Sequence, residues 1–373
     1  VVTQFAISLI LISGTIVFFQ QIRFMNSKEL GFSKEQVITF RISDGRTIES
    51  LPRLHSELSR IPGVMQASAA SRPPVNISSG YSIRKEGVAD RGGLIVSAMP
   101  VDHRFIQTLS ITVIAGSGLH EVNPTDTAWY FVLNESAVRA LDWTPEVAVG
   151  KSLLMSGRRK GVVTGVMKDF NIKSLHTPLE PFVLFNSREA GYTRDIGYLL
   201  VKLAPQSLPR VLGELEKVWR EMVPHRPFQF TFLDEELDAL YRSEQRLGTL
   251  VAVFAGFAVV IACLGLFALT AFTAEQRTKE IGVRKVLGAT VSAIVALLSK
   301  DFLALVAIGF LVGAPVSYIG LSEWLQNFAY RIDLGYEYFL LAGVTMLVIA
   351  LATVSFQAIR AALANPVEAL RYE

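Results

Sequence analysis

The chain has 373 residues, 51% of them hydrophobic and 18% charged, with a mean hydropathy of +0.39 and a net charge of +3. Soluble domains carry about 25% charge, so the balance leans towards the membrane class. The small positive balance forms no basic stripe with interleaved aromatics, which excludes a nucleic-acid partner, and the single Cys263 excludes an internal disulfide.

Taken in chain order, residues 1–20 open with an uncharged apolar run that reads as a first transmembrane helix. It has no basic n-region and no small-residue cleavage site, so a signal peptide fits poorly. With no Met at its start, it reads as a span whose beginning is cut away from a longer protein. Residues 21–233 then read like a soluble protein. "QVITFRI" at 36–42 predicts a strand, 47–61 a helix with Leu51, Leu54, Leu58 and Ile61 on one face, and "MQASAA" a second strand. The same order returns at 197–233, where a helix carrying Val211, Leu215 and Trp219 lies between "GYLLVKL" and "FQFTFL". Two β-α-β units thus flank a β-rich insertion at about 75–195, giving an α+β, two-layer domain. Residues 234–247 predict a stalk helix, capped by Asp234, that runs unbroken into a second span at 248–272. That span has 25 uncharged residues, about 37 Å of helix against roughly 30 Å of hydrocarbon. Further spans follow at 302–322 and 338–359. The fold class is therefore an α-helical membrane protein with four transmembrane helices, a large α+β extracytoplasmic domain and a helical stalk.

Orientation follows from the loops. The 273–301 connection carries Arg277, Lys279, Arg284, Lys285 and Lys300, and the 360–373 tail adds Arg360 and Arg371. The 323–337 loop sets Arg331 against Glu323, Asp333 and Glu337. The positive-inside rule puts 273–301 and the tail in the cytoplasm, and the 21–233 domain and the 323–337 loop outside.

No reaction chemistry is legible. "VGKS" at 149–152 ends like a phosphate-binding loop, but Pro145 stands where that motif needs its first glycine. The five histidines have no metal-ligand spacing, and no nucleophile elbow occurs. The chain is expected to hold no metal and no cofactor, and not to be an enzyme.

The informative stretch is "AEQRTKEIGVRKVLGAT" at 274–290. Glu275–Lys279 and Glu280–Arg284 are i,i+4 pairs in the favourable order, each contributing a few tenths of a kcal/mol to a short helix that "LGA" ends. Topology alone needs no glutamates, and Ile281, Val283, Val286 and Leu287 interleave the charges. The stretch can therefore offer a partner both apolar grip and charge.

That stretch closely resembles the cytoplasmic segment of MacB/FtsX-type ABC transporter permeases. So do the span with "AP" at 314–315, "EWLQNFAYRIDL" at 323–334 and "NPVEALRYE" at 365–373. "GFSKEQVITFRI" at 31–42 and the motifs across 132–181 resemble that family's extracytoplasmic domain. The opening residues look most like the second half of permeases with two tandem modules. The resemblance implies a non-catalytic, porter-like permease of the bacterial inner membrane, serving efflux or envelope maintenance by mechanotransmission. It implies an ABC ATPase subunit dimer as partner, which holds ATP and Mg. A second permease module, either a missing half or a copy of this chain, and a periplasmic adaptor are further partners. Glu275, Arg277, Lys279, Glu280, Ile281, Val283, Arg284 and Lys285 would form the coupling element. Ala252 with Gly256, and Gly309 with Gly313, are the candidate close-packing pairs of the spans. A second reading stays open, a membrane-anchored extracytoplasmic sensor or receptor.

Overall fold

A computed structural model describes residues 1–363 apart from 29, 43, 76, 78, 79, 88–92, 123–128, 157, 158, 172, 174, 187–194, 206, 207, 278, 279, 282, 285 and 286. The chain divides into two compact units, Lys28–Leu240 and the combination of Val1–Ser27 with Tyr241–Glu373. The "NPVEALRYE" motif, Lys279 and Lys285 lie outside the described residues.

The chain starts in helix α1 (Val2–Ser27). The Lys28–Leu240 unit then begins with β1 (Val37–Arg41), α2 (Gly45–Leu58) and β2 (Val64–Ala70). Asp44 caps α2 by accepting the Thr47 N–H at 2.9 Å. It also lies 3.0 Å from His225 and 3.3 Å from Arg226, which ties the start of the helix to the far end of the unit. The inserted segment follows as β3 (Gly80–Lys85), β4 (Leu94–Pro100), α3 (Phe105–Thr108), β5 (Val113–Gly116), β6 (Trp129–Asn134), α4 (Glu135–Ala140), α5 (Pro145–Ala148), β7 (Ser152–Met155), β8 (Arg159–Met167) and β9 (Phe182–Asn186). The unit closes with β10 (Tyr198–Leu203), α6 (Leu208–Met222), β11 (Thr231–Phe232) and α7 (Leu233–Leu240).

Two sheets result. The four-stranded sheet has the order β11-β1-β10-β2, with every pairing antiparallel. This is the interleaved order of a split β-α-β pair, in which β10 inserts between the two strands of the first unit. Ile38, Phe40, Leu199 and Val201 face α2 and α6, where they meet Leu54, Leu58, Leu215 and Trp219. Phe40 stacks on Trp219 with ring centroids 4.7 Å apart. "FQFTFL" forms a strand only over Thr231–Phe232. Phe228 and Phe230 instead turn their rings onto Phe40, at 5.4 and 6.1 Å.

The second sheet runs β5-β8-β6-β9-β4-β3-β7, and β7 pairs again with β8. Residues 159–162 of β8 take β7, and residues 165–167 of the same strand take β5. Six strands thereby close into a small barrel without a free edge between β7 and β8. Trp129, Phe131, Phe185, Val163 and Met155 fill its interior. The "VGKS" residues form the turn into β7, where the Gly150 N–H donates to Val163 at 2.8 Å.

The other unit joins α1 to α8 (Arg242–Gln276), α9 (Val291–Leu325) and α10 (Glu337–Leu363). All four helices are long and apolar enough to cross a membrane. The helix predicted to run unbroken from 234 to 272 is in fact two, α7 and α8. Tyr241 interrupts it with φ −105° and ψ 7°, and the residue on either side belongs to a different unit. α9 also differs from the expected 302–322 span, because it begins at Val291, where the Thr290 hydroxyl caps it by accepting the Ala293 N–H. It passes through Pro315 and continues to Leu325. The proline removes one backbone donor, but the turns beyond it are held to α1. Ser317 Oγ lies 2.7 Å from Ser13 Oγ, and Trp324 stacks on Phe18 at 5.1 Å.

Candidate functional site

The charged connection begins where α8 ends. Glu275 lies in the last turn of α8, and Arg277 is its C-cap, with its N–H on the carbonyls of Glu275 and Thr273. The guanidinium of Arg277 reaches forward to Asp301 in α9, donating to Oδ2 at 3.1 Å. This exposed pair contributes at most about 1 kcal/mol. Its effect is positional, since it holds the end of α8 to the third turn of α9.

Between those helices Glu280, Ile281, Val283 and Arg284 are helical. Glu280 accepts from Arg284 at 2.8 Å, the i,i+4 pair that the spacing favours. Ile281 is turned away from any partner, at 6% exposure, and packs on Ile294 of α9 and Ala358 of α10. Its expected place among the partner-facing residues is therefore corrected, because a helical turn with one apolar face buries that face on its own chain. Val283 and Leu287 point outward, at 49% and 80% exposure. Gly288 then reverses the chain with φ +92°, a conformation that favours glycine. The structure thus gathers Glu280, Val283 and Arg284 on an exposed surface and ties Arg277 and Ile281 to the bundle.

Leu287, named among the apolar residues of the stretch but not among the coupling residues, is the most exposed large apolar side chain among the described residues of the connection. The legible signal was its position immediately before a left-handed glycine at a loop tip. Asp301 was also missed, because an acid one residue past Lys300 reads as neutral punctuation in a charge count.

The close-packing pairs separate in the same way. A Cβ on Gly309 would lie 2.7 Å from Phe5 Cβ, and one on Gly313 would lie 3.0 Å from the Ala6 carbonyl, so both glycines seat α9 against α1. A Cβ on Gly256 would meet nothing within 4 Å, and that residue sits on an open face of α8. Ala252 is half-buried on the same helix. A contact that the sequence does not signal lies at the other end of α1. Buried Gln21 donates to the Tyr330 carbonyl at 2.8 Å and accepts from the Ile332 N–H at 2.9 Å, which pins the short loop between α9 and α10.

In the Lys28–Leu240 unit, two ionisable groups are held away from their ordinary state. Burial lowers the pKa of His55, and the opposing pull of Asp102, 3.8 Å away, does not outweigh it. Burial raises Glu236, although its bond from the Thr39 hydroxyl at 2.7 Å works the other way. Among the described residues no three His, Cys, Asp or Glu side chains converge as a metal site.

Residues 252–366 match the family described as FtsX-like permease C-terminal. The chain is 30% identical over 132 residues to an uncharacterized ABC transporter permease, YknZ, of Bacillus subtilis, covering 34% of this chain and 32% of that protein. It is 29% identical over 141 residues to a macrolide export ATP-binding/permease protein, MacB, of Bdellovibrio bacteriovorus, covering 36% and 21% respectively. The matches thus span no more than about a third of the length of these two relatives. Among solved structures, the periplasmic region of MacB from Actinobacillus actinomycetemcomitans overlaps 60% of this chain and 98% of its own. Its TM-score is 0.38 and its identity 14%. The extracellular domain of YknZ from Gram-positive bacteria overlaps 51% and 93%, at TM-score 0.34 and 12% identity. The class these findings point to is a protein with four helices long and apolar enough to cross a membrane, similar in its C-terminal part to ABC transporter permeases. More narrowly, residues 252–366 are similar to an FtsX-like permease domain, and the relatives matched are permeases of the MacB and YknZ kind.

Proposed function

We propose that this chain is the permease subunit of an ABC transporter in the bacterial inner membrane. It would couple ATP binding and hydrolysis in a separate ATPase dimer to movement of its periplasmic domain, in efflux or envelope maintenance. ATP and Mg belong to the ATPase, and the permease itself carries out no reaction. A second permease module completes the membrane part, and a periplasmic adaptor is a further candidate partner.

The observation that carries this reading is the exposed group Glu280, Val283, Arg284 and Leu287. Val283 and Leu287 offer apolar contact, Glu280 and Arg284 frame them with opposite charges, and the segment is anchored rather than loose. Ile281 sits in the bundle, and Arg277 bonds to Asp301. A load on the turn is therefore borne by α8 and α9 instead of being dissipated in a mobile loop. α8 carries it through 35 residues, about 52 Å of helix, to Tyr241. Two glycines without side chains between α9 and α1 leave a smooth surface over which one helix can slide.

The test is purification of the full-length protein in mild detergent with its ATPase. Exchanging the charges with Glu280→Lys and Arg284→Glu, or placing a charge at the tip with Leu287→Asp, is expected to release the ATPase while the permease stays folded. Continued co-purification with all three changes would refute the docking role of the turn. If the wild-type chain brings down no ATPase and the outer domain responds to a ligand, the receptor reading replaces this one.

A further inference from the structure

Between the cytoplasmic ends of α9 and α10 lies an open groove of about 700 Å³. That is the size of sites that hold a single ligand molecule. On α9 it is lined by Ser292, Ser299 and Leu303, spaced seven and four residues apart and so on one helical stripe. On α10 it is lined by Leu351, Ser355 and Ile359, again on one stripe. The lining is mostly apolar towards the bundle, with polar groups placed among it.

Two features of the groove have no use within the chain. Ser299 Oγ is buried, the residue being 5% exposed, and has no hydrogen-bond partner among the described residues. A buried hydroxyl in that state is costly, and its bonding capacity is open to a ligand that fills the groove. Lys300, on the rim, is exposed and has no ion-pair partner among the described residues, while its neighbour Asp301 is taken by Arg277. The positive end of the α9 dipole, at Val291 and Ser292, closes the same end of the groove.

We propose that this groove binds one anionic phospholipid of the cytoplasmic leaflet. An acyl chain would lie between Leu303 and Leu351. The glycerol-phosphate would meet Ser299, Ser355 and the start of α9, with Lys300 reaching to the phosphate along its flexible stem. Charge complementarity selects this occupant, because a bare hydrocarbon leaves the Lys300 ammonium unanswered and a zwitterionic headgroup brings its own cation towards Lys300 and the positive end of α9. The position beside Ile281, which packs on Ile294 and Ala358 of the same two helices, makes the lipid a prop for the charged turn. The inference requires only that the four helices span a membrane, not that an ATPase docks.

The test uses the full-length chain, delipidated in detergent and titrated with phosphatidylglycerol or with phosphatidylcholine. Retained lipid is counted by native mass spectrometry. Phosphatidylglycerol is expected to bind at one copy and phosphatidylcholine not to compete. Lys300→Gln should weaken retention about tenfold, the loss of one charge-assisted contact. Leu351→Trp should abolish it by filling the groove, and Arg23→Gln, an equal loss of charge on α1, should leave it unchanged. Lys300→Gln alters an exposed side chain, so it keeps the test readable if Leu351→Trp misfolds. Equal retention of both lipids, or equal weakening by Lys300→Gln and Arg23→Gln, would show annular or bulk-charge binding and overturn the proposal. So would a Leu351→Trp protein that keeps its lipid.

Discussion

Replacing Gly309 by alanine tests how α1 and α9 are joined. The added Cβ would sit 2.7 Å from Phe5 Cβ and 3.4 Å from the Val2 carbonyl, whereas carbon atoms rest 3.5–4.0 Å apart. The atom in the way is a Cβ fixed to the backbone, so relief requires the helices to part by about 1 Å. Overpacking of this kind costs about 1–3 kcal/mol. The intrinsic preference of a helix for alanine over glycine returns at most about 1 kcal/mol. A net loss of up to about 2 kcal/mol is expected, seen as a thermal midpoint lower by as much as a few degrees for the full chain in detergent. Gly256→Ala is the matched control. Nothing lies within 4 Å of its added Cβ, so the same substitution should leave the midpoint unchanged or raise it. If both variants shift equally in the same direction, the α1–α9 contact is not what Gly309 serves, and the reasoning fails.

Gln21→Leu would leave the Tyr330 carbonyl and the Ile332 N–H without their partner, at about 1–3 kcal/mol for each group that stays buried. Faster proteolysis within 326–336 is the expected readout, and unchanged cleavage would show that water replaces the glutamine. Acid should weaken the Lys28–Leu240 unit through His55. Its folded pKa lies below the ordinary 6.5, so the folded unit binds fewer protons than the unfolded chain. The stability this contributes is fully present above about pH 6.5 and is lost as the pH falls through the folded value. His55→Leu should flatten the fall in unfolding midpoint below pH 6.5, and an unchanged slope would assign it to other groups. Glu236, whose pKa is raised, has the opposite sign, with its contribution present below 4.5 and lost as the pH rises through its folded value.

Much of this protein could be read before any coordinates. Four apolar stretches of membrane length need no tertiary knowledge, because hydrocarbon forces each to satisfy its own backbone as a helix. The Glu280–Arg284 pair was equally legible, since i,i+4 neighbours on a helix meet wherever that helix goes. Contacts that join distant residues were not. Nothing local distinguishes Ala252 and Gly256 from Gly309 and Gly313, and only the seating of α9 on α1 makes the second pair a contact. Ile281 and Val283 are both β-branched residues in a charged stretch. The positions of Ile294 and Ala358 decide that the first is core and the second surface. The sequence alone therefore determined the number of membrane-length helices and the Glu280–Arg284 pair, both of which follow from local periodicity and solvation, whereas the first helix runs on to Ser27, past the expected end at residue 20. The tertiary structure decided the break at Tyr241, the closure of β7 on β8, and which side of the charged turn is exposed. Each of these depends on which residues a neighbouring element has already covered, and no local pattern carries that information.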